Sequence, residues 1–301
     1  MLMSAAGDLL DLPLVHEIVI GDFGRAAALD YMRFACVRER ALIRSRLKSD
    51  ELEFFDEYRR LMFTVLGDVG FYKAELIAQT RQTHGHLTRE VLIGGGMTPV
   101  TSDIVERIAV TVAHAAASAR ARGYERVQLA LPCNALSDVA TGLREVLATP
   151  QTMDELFGRS RWPTPDPDLI LGSELSVRTV PESVLTVLSK EAAVTAPRLL
   201  LLGAEGALEI YGRLSDDYGV LIVPIDTEQQ TLIDDAVITA IGGDEAELRR
   251  SRDRLRQELI EPAKEAFGEL TVVEACTDFS FGLGVSSVEL FAEDLINTCY
   301  G

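Results

Sequence analysis

The chain has 301 residues, of which 47% are hydrophobic and 25% charged, a composition that provides ample core for a folded globular protein. Its formal net charge is −18. Phosphate-rich surfaces call for the opposite sign, so neither nucleic acid nor an anionic membrane is an expected partner. No apolar run approaches the roughly 18 residues of a membrane span. Met1–Leu14 carries Asp8 and Asp11 and no basic segment, unlike a secretory signal. The four cysteines, at positions 36, 133, 276 and 299, are far apart and form no CxxC pair. His84-Gly85-His86 has no companion ligands at metal-binding spacing. A reduced, cytoplasmic, metal-free protein is expected.

His16–Ile20 reads as a short strand and Gly21-Asp22-Phe23-Gly24 as a turn. Arg25–Leu47 follows as a helix with Leu29, Met32, Cys36, Val37 and Ile43 on its core face. A strand, a glycine turn and a helix open a Rossmann-like unit, whose helix N-terminus suits an anion. The glycines are not spaced as GxGxxG, so a dinucleotide is not indicated. A second helix is read over Asp50–Leu66, a third over Phe71–Thr83 and a strand over Arg89–Ile93. Gly94-Gly95-Gly96 is either a plain tight turn or a hinge or phosphate cradle. Thr101-Ser102-Asp103 opens an alanine-rich helix that stops at Gly123.

Arg126–Leu131 is an apolar strand that runs into Pro132-Cys133-Asn134-Ala135, and a helix begins near Ser137. A cysteine at a strand end beside a helix N-terminus sits where a thiol is made acidic. A proline-rich stretch, 162–168, is irregular, and the chain passes to its second half near residue 180, where Pro181–Glu191 is a helix with proline in its first turn. The second half repeats the outline. Arg198–Leu202 is a strand buried on both faces, Gly203–Gly206 a turn and Ala207–Leu214 a helix. Val220–Pro224, Glu228–Ile241 and Glu245–Phe267 add a strand and two helices. Leu270–Ala275 is a strand that ends at Cys276. Alternating strands and helices predict an α/β fold with parallel sheets. The weak duplication predicts two Rossmann-like α/β domains related by a pseudo-twofold, with the active site in the cleft between them. Residues 1–179 with 286–301 would form one domain, carrying Cys133. Residues 180–285 would form the other, carrying Cys276.

Pro132-Cys133-Asn134 followed by Cys276-Thr277-Asp278 resembles the paired cysteine turns of the cofactor-independent aspartate/glutamate racemase superfamily. Ile18–Tyr31 is similar to the first strand and glycine loop of that family, Leu199–Gly206 to its mid-chain strand and loop, and Val285–Leu295 to the closing segment that returns to the first domain. Residues 48–95 and 148–168 look like insertions. The resemblance implies an isomerase, an amino-acid racemase or epimerase that uses no pyridoxal phosphate or other cofactor. Cys133 and Cys276 would exchange the Cα proton of an amino acid or related carboxylate from opposite faces, in a homodimer. Asn134 and Thr277 would donate to the substrate carboxylate. Asp22, beside Gly24, would tune Cys133 or hold the substrate ammonium, or else cap the helix at Arg25. Asp278 has the mirror choice, and Arg25 either binds a carboxylate or is an exposed helix-start arginine.

The chain departs from the family pattern. Ala135 replaces a threonine hydroxyl, Ser137 stands where aspartate racemases have histidine, Ala275 replaces glycine, and Phe279-Ser280-Phe281 brings in two aromatic rings. These changes point away from free aspartate or glutamate and towards a less polar or larger substrate. Two other readings stay open. One is another reaction on the same scaffold, a decarboxylation or cis-trans isomerisation using one cysteine, and the other is a non-catalytic homologue. Cys36 is expected on a helix core face and Cys299 near a fraying terminus.

Overall fold

The computed structural model describes residues 12–21, 25–46, 61–66, 102–124, 126–148, 155, 157–158, 175–191, 196–242, 245–276 and 280–300. Two four-stranded sheets organise them, and every pairing is parallel. The first has the order β2-β1-β3-β4, from β1 (Val15–Ile20), β2 (Leu61–Leu66), β3 (Arg126–Leu131) and β4 (Ser176–Thr179). The second has the same order, β6-β5-β7-β8, from β5 (Arg198–Leu202), β6 (Leu221–Ile222), β7 (Thr271–Glu274) and β8 (Val285–Ser286). The α/β class and the two Rossmann-like parallel sheets agree with the sequence reading. Among the described residues, no helix is long and apolar enough to cross a membrane.

Burial on both faces explains the apolar strands, because side chains alternate across each sheet. Ile18, Ile20, Val127, Leu129 and Leu131 pack with Ile108, Val112 and Leu143 from the helices Ser102–Ala121 and Ser137–Ala148. In β5, Leu200 and Leu202 turn to the helices Thr227–Gly242 and Glu245–Leu255, where they meet Ile233, Val237 and Leu255. Leu199 and Leu201 face the other way, into a core that also holds Val19 and Ala130 of the first sheet. This shared core is filled by Tyr31, Val184, Tyr211, Phe291 and Leu295 from four intervening helices. The C-terminal helix Ser287–Tyr300 therefore returns to the first half of the chain. Its last turn is held there by Arg126, which donates to the carbonyls of Thr298 and Cys299, and by Arg46, which donates to that of Tyr300.

The structure corrects several expectations. Leu61–Leu66 is a strand, not the end of a helix, and pairs with β1 over its whole length, from Val15↔Leu61 to Ile20↔Leu66. Its run of β-branched and aromatic residues suits the pleat once a partner strand is present. It also makes part of the supposed insertion 48–95 a member of the sheet. On Arg25–Arg46 the buried face is Ala28, Tyr31, Ala35, Glu39 and Ile43, whereas Leu29 and Val37 are 64% and 58% exposed. Small alanines let the C-terminal helix approach closely, which matters more than the size of the apolar side chains. Cys299 is fully buried and accepts a hydrogen bond from Gln128 Nε2 at 2.8 Å, so it lies in a clamped helix end. Strands β4 and β8 are too short to show a period. The strand read over Val220–Pro224 pairs only at Leu221–Ile222. The helix read over Glu245–Phe267 widens into a π-turn at Arg256–Ile260, just before Pro262, which supplies no N–H and would crowd an unbroken α-turn. The elements expected at Phe71–Thr83 and Arg89–Ile93, the glycines 94–96, and His84 and His86 lie outside the described residues.

One polar group sits deep in the first sheet. Glu17 is fully buried in β1 and accepts from the Tyr31 hydroxyl. Its other oxygen, and the Oε1 of its register partner Gln128, have no hydrogen-bond partner among the described residues. Burial pushes the Glu17 carboxyl up to about 7, Glu39 adds to the rise and the Tyr31 hydrogen bond opposes it. The folded chain thus holds this proton more tightly than the unfolded chain does. Its stabilisation is complete below pH 4.5 and is lost as the pH rises through about 7. Urea unfolding of wild type and Glu17→Gln should therefore diverge with pH. Relative to the variant, wild type is expected to lose on the order of 3 kcal/mol between pH 4.5 and 8. Parallel pH profiles would show that Glu17 is already ionised in the folded state.

Candidate active site

In both sheets the strand order reverses next to the first strand of its half, between β1 and β3 and between β5 and β7. Open α/β sheets bind ligands at such switch points. The two cysteines stand there, each just beyond the end of the third strand of its half. Cys133 follows β3 by one proline, with an extended backbone (φ −125°, ψ 131°), and caps the 3-10 turn Asn134–Leu136. Leu136 N–H donates to the Cys133 carbonyl at 3.0 Å, and the helix Ser137–Ala148 continues the turn. Cys133 is buried at the N-terminus of this helical segment, an end whose backbone N–H groups favour negative charge. Cys276 is half-buried at the end of β7. None of the four cysteines is in a disulfide.

The residue before Cys276 is packed without slack. Ala275 N–H donates to the Leu202 carbonyl at 2.9 Å, which extends the β5–β7 ladder by one step. Its methyl group lies against Gly203, where an added Cβ would come within 3.0 Å of the Ala275 Cβ and 3.1 Å of its carbonyl oxygen. The alanine before Cys276 is thus accommodated by a glycine on the neighbouring strand end. Gly21, after β1, is held in the same way. Its N–H donates to the Leu66 carbonyl at 3.0 Å, and a Cβ would meet Val65 at 2.6 Å.

Asn134 joins the two turns. Its side chain is 7% exposed, and Nδ2 donates to the Ala275 carbonyl at 2.6 Å, so the residue after Cys133 is bonded to the residue before Cys276. One of the amide protons expected to meet a substrate carboxylate is engaged there. Asn134 Oδ1 and Ser137 Oγ are buried with no hydrogen-bond partner among the described residues. Two polar atoms flanking Cys133 are therefore left for something else to satisfy.

Of the other residues singled out in the sequence, Arg25 opens the helix Arg25–Arg46 and Ala135 lies within the 3-10 turn. Asp22, Gly24, Thr277 and Asp278 lie outside the described residues. Phe281 is corrected: it is fully buried with Leu200, Leu202 and Val272 in the outer core of the second half, and is a core residue, not a pocket wall. Sequence reasoning took Gly21 and Gly203 only as turn residues and did not see Ala275 as the hinge of the contact. A glycine directly after the first strand of each half was the available signal.

No family model matches the sequence, and no curated protein matches it closely. Solved structures do match. A protein assigned as an Asp/Glu racemase from Yersinia pestis superposes with a TM-score of 0.56 at 13% identity, covering 95% of this chain and 98% of that one. An aspartate racemase homologue from Pyrococcus horikoshii gives 0.54 at 13%, covering 95% and 99%. Picrophilus torridus aspartate racemase gives 0.50 at 14%, covering 95% and 94%. The resemblance read from the two cysteine turns thus extends to the fold of nearly the whole chain.

Two substitutions test the contacts made by Ala275. Asn134→Asp sets a carboxylate oxygen against the Ala275 carbonyl and is expected to destabilise by about 1–3 kcal/mol, as an acceptor deprived of its donor does. Gly203→Ala forces a methyl group onto Ala275 and should cost about 1–3 kcal/mol. Denaturant midpoints within error of wild type for both variants would mean that Asn134 and Gly203 do not touch Ala275.

Proposed function

We propose that the protein is a cofactor-independent amino-acid racemase or epimerase in which Cys133 and Cys276 work as a pair of bases on opposite faces of the substrate. The single observation that carries this reading is the bond from Asn134 to Ala275, which ties the turn of one cysteine to the turn of the other. The like position of both cysteines, after the third strand of like sheets, also supports it, as does the racemase fold of the neighbours.

In the proposed cycle one sulfur rests as thiolate and the other as thiol. The thiolate takes the Cα proton as the C–H electron pair passes to the substrate carboxylate. The opposite thiol then protonates the planar carbanion from its far side. The chiral centre is inverted and the two sulfurs have exchanged protonation states, so the enzyme is ready for the reverse turn. The Cα–H of an amino acid is a very weak acid, so the carbanion needs preplaced donors in a desolvated site. Thr277 and the Asn134 amide proton not given to Ala275 fill that role in our reading. Asp22 and Asp278 are proposed to tune the sulfurs or hold the ammonium, with Gly24 and Arg25 completing the first loop. Ala135 lacks a hydroxyl for a second carboxylate, which favours a substrate less polar or larger than free aspartate or glutamate. We place the enzyme in the cytoplasm as a homodimer.

The test is incubation in deuterium oxide with a panel of amino acids. Wild type should incorporate deuterium at Cα with inversion of its substrate. Cys133→Ala and Cys276→Ala should each lose inversion by about 10²–10⁴-fold, the usual contribution of a positioned acid or base. Full turnover with one cysteine removed would favour the single-cysteine decarboxylase or isomerase reading. A complete absence of exchange would point to a non-catalytic homologue.

A further inference from the structure

The loop that leaves Cys276 is anchored in an unusual way. It connects β7 to β8, parallel neighbours in the same sheet, through residues 275–284 alone. Parallel neighbours are ordinarily joined by a longer crossover with a helix, which satisfies its own backbone groups. Here the backbone donors of the returning limb turn inward onto one carboxylate. Glu274, the last residue of β7, is 1% exposed. Its Oε2 accepts from Ser280 Oγ and from Phe281 N–H at 3.1 Å, and its Oε1 accepts from Leu283 N–H at 2.6 Å and Gly284 N–H at 3.2 Å. The remaining N–H in this run, that of Gly282, donates to Ser280 Oγ at 3.2 Å. Every backbone N–H from 281 to 284 is thus engaged by Glu274 or by a hydroxyl that Glu274 itself holds.

Packing agrees with the hydrogen bonds. Phe281 is driven into the outer core of the second half. Gly282 turns with φ +68°, and Gly284 passes so close to β7 that a Cβ would lie 2.3 Å from the Val272 carbonyl oxygen. Upstream of Cys276, Ala275 is held by Leu202, Gly203 and Asn134. Downstream, the return of the chain is held by Glu274. A buried carboxylate with this many charge-assisted hydrogen bonds is a rigid anchor.

We propose that Glu274 is a positioning residue for Cys276. Its carboxylate ties residues 280–284 back to the end of β7, two residues before Cys276, and so sets the place of that thiol without touching substrate. The inference rests on the two-cysteine reading for its catalytic meaning, but its geometric content is independent of it. Rigid closure matters because a misplacement of about 1 Å at a reacting group is enough for a ~10²-fold loss of rate.

The experiment is site-resolved alkylation of the substrate-free protein with iodoacetamide, read by peptide mass spectrometry from pH 6 to 10. Glu274→Gln presents an amide –NH₂ where two donors now find an oxygen. It should change the Cys276 alkylation rate by about tenfold and displace its pH profile, while Cys133 stays within about twofold. Ser280→Ala, which removes one donor and leaves the carboxylate, should give a smaller change in the same direction. It keeps the test open if Glu274→Gln fails to fold. The outcome that overturns the proposal is a Cys276 profile that coincides with wild type in a folded variant, or one that moves in step with that of Cys133, as general loosening would produce. Because no substrate is present, a protein that racemises nothing would sink the functional reading and leave this measurement to decide on Glu274.

Discussion

The side-chain amide of Asn134 crosses 141 residues of sequence to reach the backbone carbonyl of Ala275. The relation between the two cysteine turns depends on that bond having somewhere to form. It requires β3 and β7 to end at the same level, on two sheets held at a fixed separation. It also requires Ala275 to be pressed up by Gly203 and aligned by the ladder to Leu202. A bond between a side chain and a backbone carbonyl tolerates little error in direction, so it reports how closely the two halves are registered.

The register is set by the layer between the sheets. The helices Arg25–Arg46, Val180–Glu191, Glu205–Ser215 and Ser287–Tyr300 contribute to one hydrophobic cluster that also receives Val19 from β1 and Leu199, Leu201 and Val273 from the second sheet. Close-packed cores transmit displacement and do not absorb it. The C-terminal helix is central to this, because it follows β8 in sequence yet packs with the first half. Arg46 and Arg126 bond its last carbonyls, and Asp294 accepts from Ser183 Oγ at 2.8 Å with Arg178 3.8 Å away. The chain thereby leaves the second sheet and closes on the first.

Two of the carboxyl groups buried in this framework, Glu274 and Glu17, sit there for opposite reasons. Glu274 is surrounded by donors that match a carboxylate, and the arrangement gives direction to a loop. Glu17 has a single hydroxyl donor and lies beside another acceptor, so its surroundings favour a proton on the carboxyl. Both are glutamates in strands of apolar neighbours and look alike in the sequence. The number of N–H and O–H groups that the fold brings to each one separates them.

Short-range patterns were readable without coordinates. Apolar runs bounded by glycine marked β1, β3, β5 and β7, the glycine stops and proline starts bounded several helices, and two cysteines stood out at the ends of like strands. These are local properties, set within a few residues by backbone sterics and alternation of burial. Tertiary structure decided everything that needs a distant partner. Leu61–Leu66 becomes a strand because β1 lies alongside it. Arg25–Arg46 buries its alanines because the C-terminal helix packs there, and Phe281 goes to the core because Glu274 draws its backbone inward. Cys133 and Cys276 were legible as residues at the ends of like strands. That Asn134 and Ala275 are the atoms joining their turns was not, since a contact between residues 141 apart leaves no period in the sequence and exists only once both sheets have packed on the same layer of helices.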